Sequence, residues 1–99
     1  MAEGATMRLD RFLWFARLAK TRSAAQAIAE KGTLRLDGRR IERSAVPVRI
    51  GSVLAFPLYG QVCVIRVEAL PARRGPPAEA RACYQSLITE NVSQEASID

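Results

Sequence analysis

The chain has no histidine and only two cysteines, Cys63 and Cys83, neither of them in a Cys-x-x-Cys pair. A zinc site would lack its ligands, so no metal is expected, and the cysteines read as buried reduced thiols rather than a disulfide. With no histidine, no phosphate-cradling glycine loop and no paired carboxylates, the sequence offers no positioned acid, base or nucleophile. It therefore reads as a non-enzyme with no catalytic residue and no cofactor. Long apolar runs are missing as well. None approaches the ~18 residues that cross a bilayer, and Met1 to Thr6 lacks the apolar centre of a signal peptide. The expectation is a cytoplasmic protein without a membrane partner.

What is present is charge, unevenly spread. The 99 residues carry a formal net charge of +5, but Arg8 to Arg49 hold eleven lysines and arginines against four acids, whereas the rest of the chain has four against six. One basic segment followed by a mildly acidic end is the footprint of a domain that meets polyanions through one face. At 48% hydrophobic content the chain can build one modest core and is too short for two. It contains no internal repeats or low-complexity tracts.

The basic segment holds two helical patterns. Leu9, Phe12, Leu13 and Ala16 recur at i, i+3, i+4 and i+7 and form one apolar stripe. Arg8 and Arg11 flank it on one side and Arg17 on the other. Asp10 falls in the first turn, where a carboxylate suits the helix dipole, and two turns before Arg17, so that it can orient Arg17 or a neighbouring arginine. The second pattern opens on Ser23-Ala24-Ala25-Gln26, which has capping-box spacing and predicts a helix start at Ser23. Ala24, Ala27 and Ile28 supply its apolar face, and Gly32 behind Lys31 is a left-handed stop. The joint between the helices would then be Lys20-Thr21-Arg22 alone. Outward backbone amides bracketed by two cations and a hydroxyl suit a phosphate, although the same residues also make a solvated basic turn.

After Gly32 the period becomes alternating. Thr33 to Leu36, the turn pair Asp37-Gly38 and Arg39 to Ile41 read as a hairpin with basic residues on its outer side. Pro47 confines its surroundings to an edge or loop, and Val48 to Ile50 leads through a Gly51-Ser52 turn into an apolar strand, Val53 to Phe56. Pro57 to Gly60 reads as a turn, and Gln61 to Leu70 as a buried strand that closes the sheet. Arg73 to Pro77 forms a stiff basic loop. Pro77 suits a first helical position, which predicts a short helix over Ala78 to Leu87. Residues 88–99 are polar, acidic and expected to fray.

The order LDRFLWFARLAKTRSAAQAIAEKG, then LRLDGRRIERS, then VRIGSVL, resembles the S-four RNA-binding domain, a family named for small-subunit ribosomal protein four, over roughly Arg8 to Phe56. The next strand and ARRGPPAEARACY are similar to a stand-alone, ribosome-associated branch of that family, the bacterial fifteen-kilodalton heat-shock proteins, out to about Leu87. With this resemblance the fold class is α+β: a single small domain of two N-terminal helices packed on a small, mostly antiparallel sheet, with a short C-terminal helix. Residues 8–56 would be the RNA-binding domain, 57–87 its completion by a strand, the basic loop and the helix, and 1–7 and 88–99 flexible termini. Carried over residue by residue, the RNA face comprises Arg8, Arg11, Arg17, Lys20, Thr21, Arg22, Ser23, Gln26 and Lys31, flanked by Arg39, Arg40 and Arg43. The resemblance implies structured RNA as partner, ribosomal RNA of the large subunit before transfer RNA, in a stress-linked rescue or recycling role, and a monomer. Two departures stand out. Ser52 occupies a position usually held by aspartate, and the end of the chain is acidic where the heat-shock branch carries a basic extension.

Two other functions compete for the same residues. A helix-turn-helix regulator would present polar base readers at the start of its second helix, which here is alanine-rich, with Gln26 alone able to read an adenine. RNA held by phosphate and shape needs no such helix. An RNA-binding accessory to an RNA-modifying enzyme acting in trans is the other. Trp14 falls off the apolar stripe and can stack on a base or pack at the core edge, and the second is the commoner fate of a lone tryptophan.

Overall fold

An apolar stripe on an isolated helix has to be covered, and Leu9, Phe12, Leu13 and Ala16 are each no more than 1% exposed. In the computed structural model, which describes residues 5–88, the first three lie on helix α1 (Leu9–Phe15) and Ala16 is its C-cap, and the short strand β1 (Met7–Arg8) precedes the helix. The first amides of α1 have no side-chain cap. They donate instead to the loop ahead of Pro47, Leu9 N–H to the Val46 carbonyl at 2.9 Å and Asp10 N–H to Ser44 at 3.0 Å. The helix stops a turn earlier than its pattern suggests. Arg17 is left-handed, at φ 61°, its N–H reaches the Trp14 carbonyl and the Leu18 N–H the Leu13 carbonyl. This is a Schellman closure with arginine at the position glycine usually takes. The projection that set Arg17 beside Asp10 therefore fails, because Arg17 is not helical.

The joint consequently runs from Ala16 to Thr21, with Leu18 and Ala19 buried, rather than over Lys20 to Arg22. Helix α2 covers Arg22–Glu30, and its cap is Thr21, whose hydroxyl accepts from Ala24 N–H at 3.0 Å. The capping box at Ser23 and Gln26 does not form. The buried face of α2 is Ala25 and Ala29, helped by the half-buried Ala24 and Ile28, while Ala27 is exposed. The stripe that meets α1 is thus Ala24, Ala25, Ile28 and Ala29, at i, i+1, i+4 and i+5, and Ala27 falls outside it. Gly32 stops the helix in the left-handed region, φ 88°.

Strands β2 (Leu34–Leu36) and β3 (Arg39–Ile41) form the expected hairpin, with Asp37 and Gly38 at φ 51° and 86°, a type I′ turn. Strand β4 (Pro47–Val48) pairs with β1 in a separate two-stranded ladder. The main sheet, antiparallel throughout, runs β3-β2-β5-β6-β7, with β5 at Val53–Leu58, β6 at Gln61–Val67 and β7 at Tyr84–Ile88. Ser52, buried, accepts the Arg49 N–H at 3.1 Å, so the serine itself closes the turn before β5.

Three expectations fail here. Pro57 is a strand residue, and the turn is Tyr59-Gly60. In that register Pro57 faces Val62 in a non-hydrogen-bonded pair, so its missing N–H points toward the side where β2, paired only to Leu54 and Ala55, does not reach. Strand β6 does not close the sheet, because Tyr84 to Leu87 pairs beside it as β7 and is not helical. The C-terminal helix, α3, is confined to Pro77–Arg81, with Pro77 in its first turn as expected. The segment expected to fray begins with Ile88, which is in β7, and otherwise lies outside the described residues.

Both long helices lie on one face of the sheet. Leu34, Leu36, Leu54, Phe56, Ile65 and Val67 project toward them and form one core cluster with the α1 stripe. Removing side chains of this size from water stabilises by about 1.5–3 kcal/mol each. Cys83 joins that core, Cys63 is only half-buried, and no disulfide joins them. Among the described residues no helix is long and apolar enough to cross a membrane.

Candidate nucleic-acid interface

Asp10 anchors the site from inside. It is fully buried and accepts two hydrogen bonds from Arg8, Nε and Nη2 each at 3.0 Å, and one from Gln26 Nε2 at 3.3 Å. Burial pushes its carboxyl up, but the bonds from Arg8 and Gln26, the Arg8 charge and the Arg11 backbone N–H together outweigh that and hold it below the usual carboxylate range. Arg8 is correspondingly raised, chiefly by its hydrogen bond to Asp10 and then by the charge of that carboxylate. The triad joins the start of α1 to the middle of α2. It also spends the forked face of Arg8 and the amide of Gln26, both expected at the RNA face, on holding Asp10.

The joint presents the next group. Lys20, Arg22 and Ser23 are exposed, as is Arg11 on α1. Thr21 is committed to its cap, and the amides of Arg22 and Ser23, in the first turn of α2, receive no protein acceptor among the described residues. Arg17 is exposed as a residue but donates through Nε to the Gly75 carbonyl at 2.6 Å. From the same loop, Arg74 Nη1 donates to the carbonyls of Trp14 and of Ala19, the latter at 3.2 Å, while its guanidinium carbon lies 5.8 Å from the centre of the Trp14 ring. Trp14 is half-buried at the core edge, tilted against Phe15.

The hairpin supplies the third group. Arg40 extends over the end of α2, where a Cβ on Gly32 would stand 3.0 Å from its Nη2, so the helix end bearing Lys31 and the hairpin are adjacent. Arg40 also pairs with Glu42 at 3.0 Å, an exposed contact that contributes little. Arg43 and Arg40 line one cleft of about 510 Å³, and Arg39 and Arg49 line a second of about 280 Å³ on the far side of Val46.

Cationic neighbours that the sequence reading left out become visible in the register. Arg35 stands opposite Arg40 across the hairpin, facing away from the core, and Arg49 lines the second cleft together with Arg39. The alternation of Leu34-Arg35-Leu36 could have pointed to Arg35. Nothing local could have separated Arg74 from Arg73, which pairs with Glu79 at 2.8 Å. Elsewhere Arg66 is spent on Glu68 and Gln85.

A family model described as the S4 domain matches residues 7–54. The chain is 35% identical over 79 residues to a heat shock protein 15 homolog of Haemophilus influenzae, covering 80% of this chain and 60% of that protein. It is 32% identical over 79 residues to heat shock protein 15 of Escherichia coli, covering 80% and 59%. The chain thus spans about 60% of the length of the curated relatives it matches. Among solved structures, a trimeric heat shock protein 15 of Vibrio cholerae superposes with a TM-score of 0.82 at 28% identity, over 95% of this chain and 94% of that one.

Proposed function

We propose, from the premise that residues 7–54 of this chain belong to the S4 domain family, that it is a non-catalytic protein that binds structured RNA by phosphate and shape contacts. The observation that carries this reading is a run of exposed cations without an acidic partner among the described residues. Lys20 and Arg22 flank the open start of α2, Arg11 is exposed on α1, and Lys31, Arg39 and Arg43 follow at the end of α2 and along the hairpin. Six such side chains and two outward amides can meet a phosphate backbone without reading a base. In this reading Arg8 and Gln26 act through Asp10, Thr21 through the cap and Arg17 through the joint, while Arg40 flanks, and Arg35 and Arg49 extend the basic surface. Residues 57–87 serve as support for an RNA-binding unit over 8–56.

The likeness to heat shock protein 15 favours ribosomal RNA of the large subunit as the target and a stress-linked role there. The test is sedimentation of the purified chain with separated ribosomal subunits at low salt. Co-migration with large subunits, lost at high salt and resistant to excess duplex DNA, is expected. A protein that stays at the top of the gradient with both subunits, or that duplex DNA displaces, would overturn the assignment.

A further inference from the structure

The joint that faces the RNA in the reading above is held from behind by residues outside the S4 match. Arg17 occupies left-handed backbone without being glycine, a conformation that persists only where its surroundings impose it. Beside the two backbone bonds of the Schellman closure, it is held by a reciprocal pair of arginine-to-backbone contacts. Arg17 reaches out of the joint to the Gly75 carbonyl, and Arg74, next in the chain to Gly75, reaches in to the carbonyls on either side of Arg17, at Trp14 and Ala19. The guanidinium over Trp14 adds a third contact, at the negative end of the α1 dipole where a cation is favoured. Gly75 is buried, and its loop is pinned in turn, since Arg73 holds Glu79 and a Cβ on Gly75 would fall 2.7 Å from the Glu79 carboxyl carbon.

We propose that Arg74 is a positioning residue for RNA binding: it locks the Ala16–Thr21 joint in the conformation that presents Lys20, Arg22 and the start of α2, without touching the RNA itself. The proposal rests on the RNA reading of that joint. A locked joint spares the protein from selecting one conformer when it binds. If release leaves the competent conformer populated about a tenth of the time, the apparent Kd rises about tenfold. Because no phosphate contact is lost, the dependence of log Kd on log salt keeps its slope, whereas removing a phosphate-contacting cation lowers that slope by about 0.9.

The experiment compares the 99-residue wild type, Arg74→Ala, Arg74→Lys and Arg22→Ala, binding a ribosomal RNA fragment across a salt series. Amide hydrogen exchange is followed without RNA. Lysine keeps the charge but cannot span two carbonyls and a ring at once, so both Arg74 variants are expected to weaken binding at every salt with the wild-type slope, while Arg22→Ala flattens it. Leu18 and Ala19, whose amides both donate to Leu13, should exchange faster in the Arg74 variants. Leu54 and Ile65 should not, which shows the fold to be intact. A slope lowered as much as in Arg22→Ala would make Arg74 a direct contact and overturn the proposal. Unchanged affinity, or unchanged exchange in the joint, overturns it as well. A wild-type chain that binds no RNA at any salt overturns the RNA reading together with it.

Discussion

At the scale of single residues, Asp10 shows how a charge can be kept inside a small core. Its oxygens are surrounded by Arg8 and Gln26, so burial is outweighed and the carboxyl stays ionised. A carboxyl whose folded pKa is depressed contributes its stability in full above the ordinary value of about 4, and loses it as pH falls through the lower folded value. Asp10→Asn should therefore cost about 1–3 kcal/mol at neutral pH, the worth of a charge-assisted hydrogen bond. The gap to wild type should narrow below about pH 4. Urea titrations at pH 7 and pH 3 measure it, and an equal gap at both would show that the ionised form carries none of it. The sequence placed Asp10 in a first turn beside arginines. Which arginine it takes was not legible, since Arg17 is two turns away only if the helix continues, and the Schellman closure at Arg17 ends it.

At the scale of elements, the start of α2 illustrates two local signals in competition. Ser23 and Gln26 have capping-box spacing, but Thr21 is the residue whose hydroxyl meets an amide, while Gln26 is drawn to Asp10. Thr21→Ala should lower stability by about 1 kcal/mol, which in a domain of this size shifts Tm by roughly 4–8 °C. Ser23→Ala, at an exposed position in the first turn, should change stability by no more than about 0.5 kcal/mol, the scale of surface substitutions, and so shift Tm by no more than about 2–4 °C. Scanning calorimetry of the two variants decides the cap, and the reverse order would restore it to Ser23. The stretch Tyr84 to Leu87 is a strand where its spacing predicts a helix, for a related reason. Four residues after a helix start are ambiguous in period, and β6 offers them a free edge that no local pattern announces.

At the scale of the whole molecule, the charge asymmetry sets how binding should respond to salt. If about five phosphates are engaged, affinity for structured RNA should fall by two to three decades between 50 and 200 mM salt. Fluorescence anisotropy with a labelled ribosomal RNA fragment reads this directly, and a flat titration would remove the electrostatic account of the interface. The acidic partners of Arg66 and Arg73 keep those cations out of the count, so their replacement by alanine should leave the slope as it is.

The sequence by itself determined the α1 stripe, the Asp37-Gly38 hairpin, the Gly32 stop, the basic half of the chain and the S4 resemblance. Each of these rests on neighbours within a turn or two, where spacing and backbone preference suffice. Tertiary structure alone decided where α1 ends, which residue caps α2, that Pro57 lies in a strand, that β7 exists, and that Arg74 braces the joint. The cap and the Pro57 pairing are short-range contacts among several that local spacing allows equally, but the bracing of the joint depends on partners tens of residues away. Arg74 meets Trp14 across 60 positions, and Arg17 meets Gly75 across 58. Contacts of that separation leave no periodicity to read, because the two segments are brought together only when the shared core is buried.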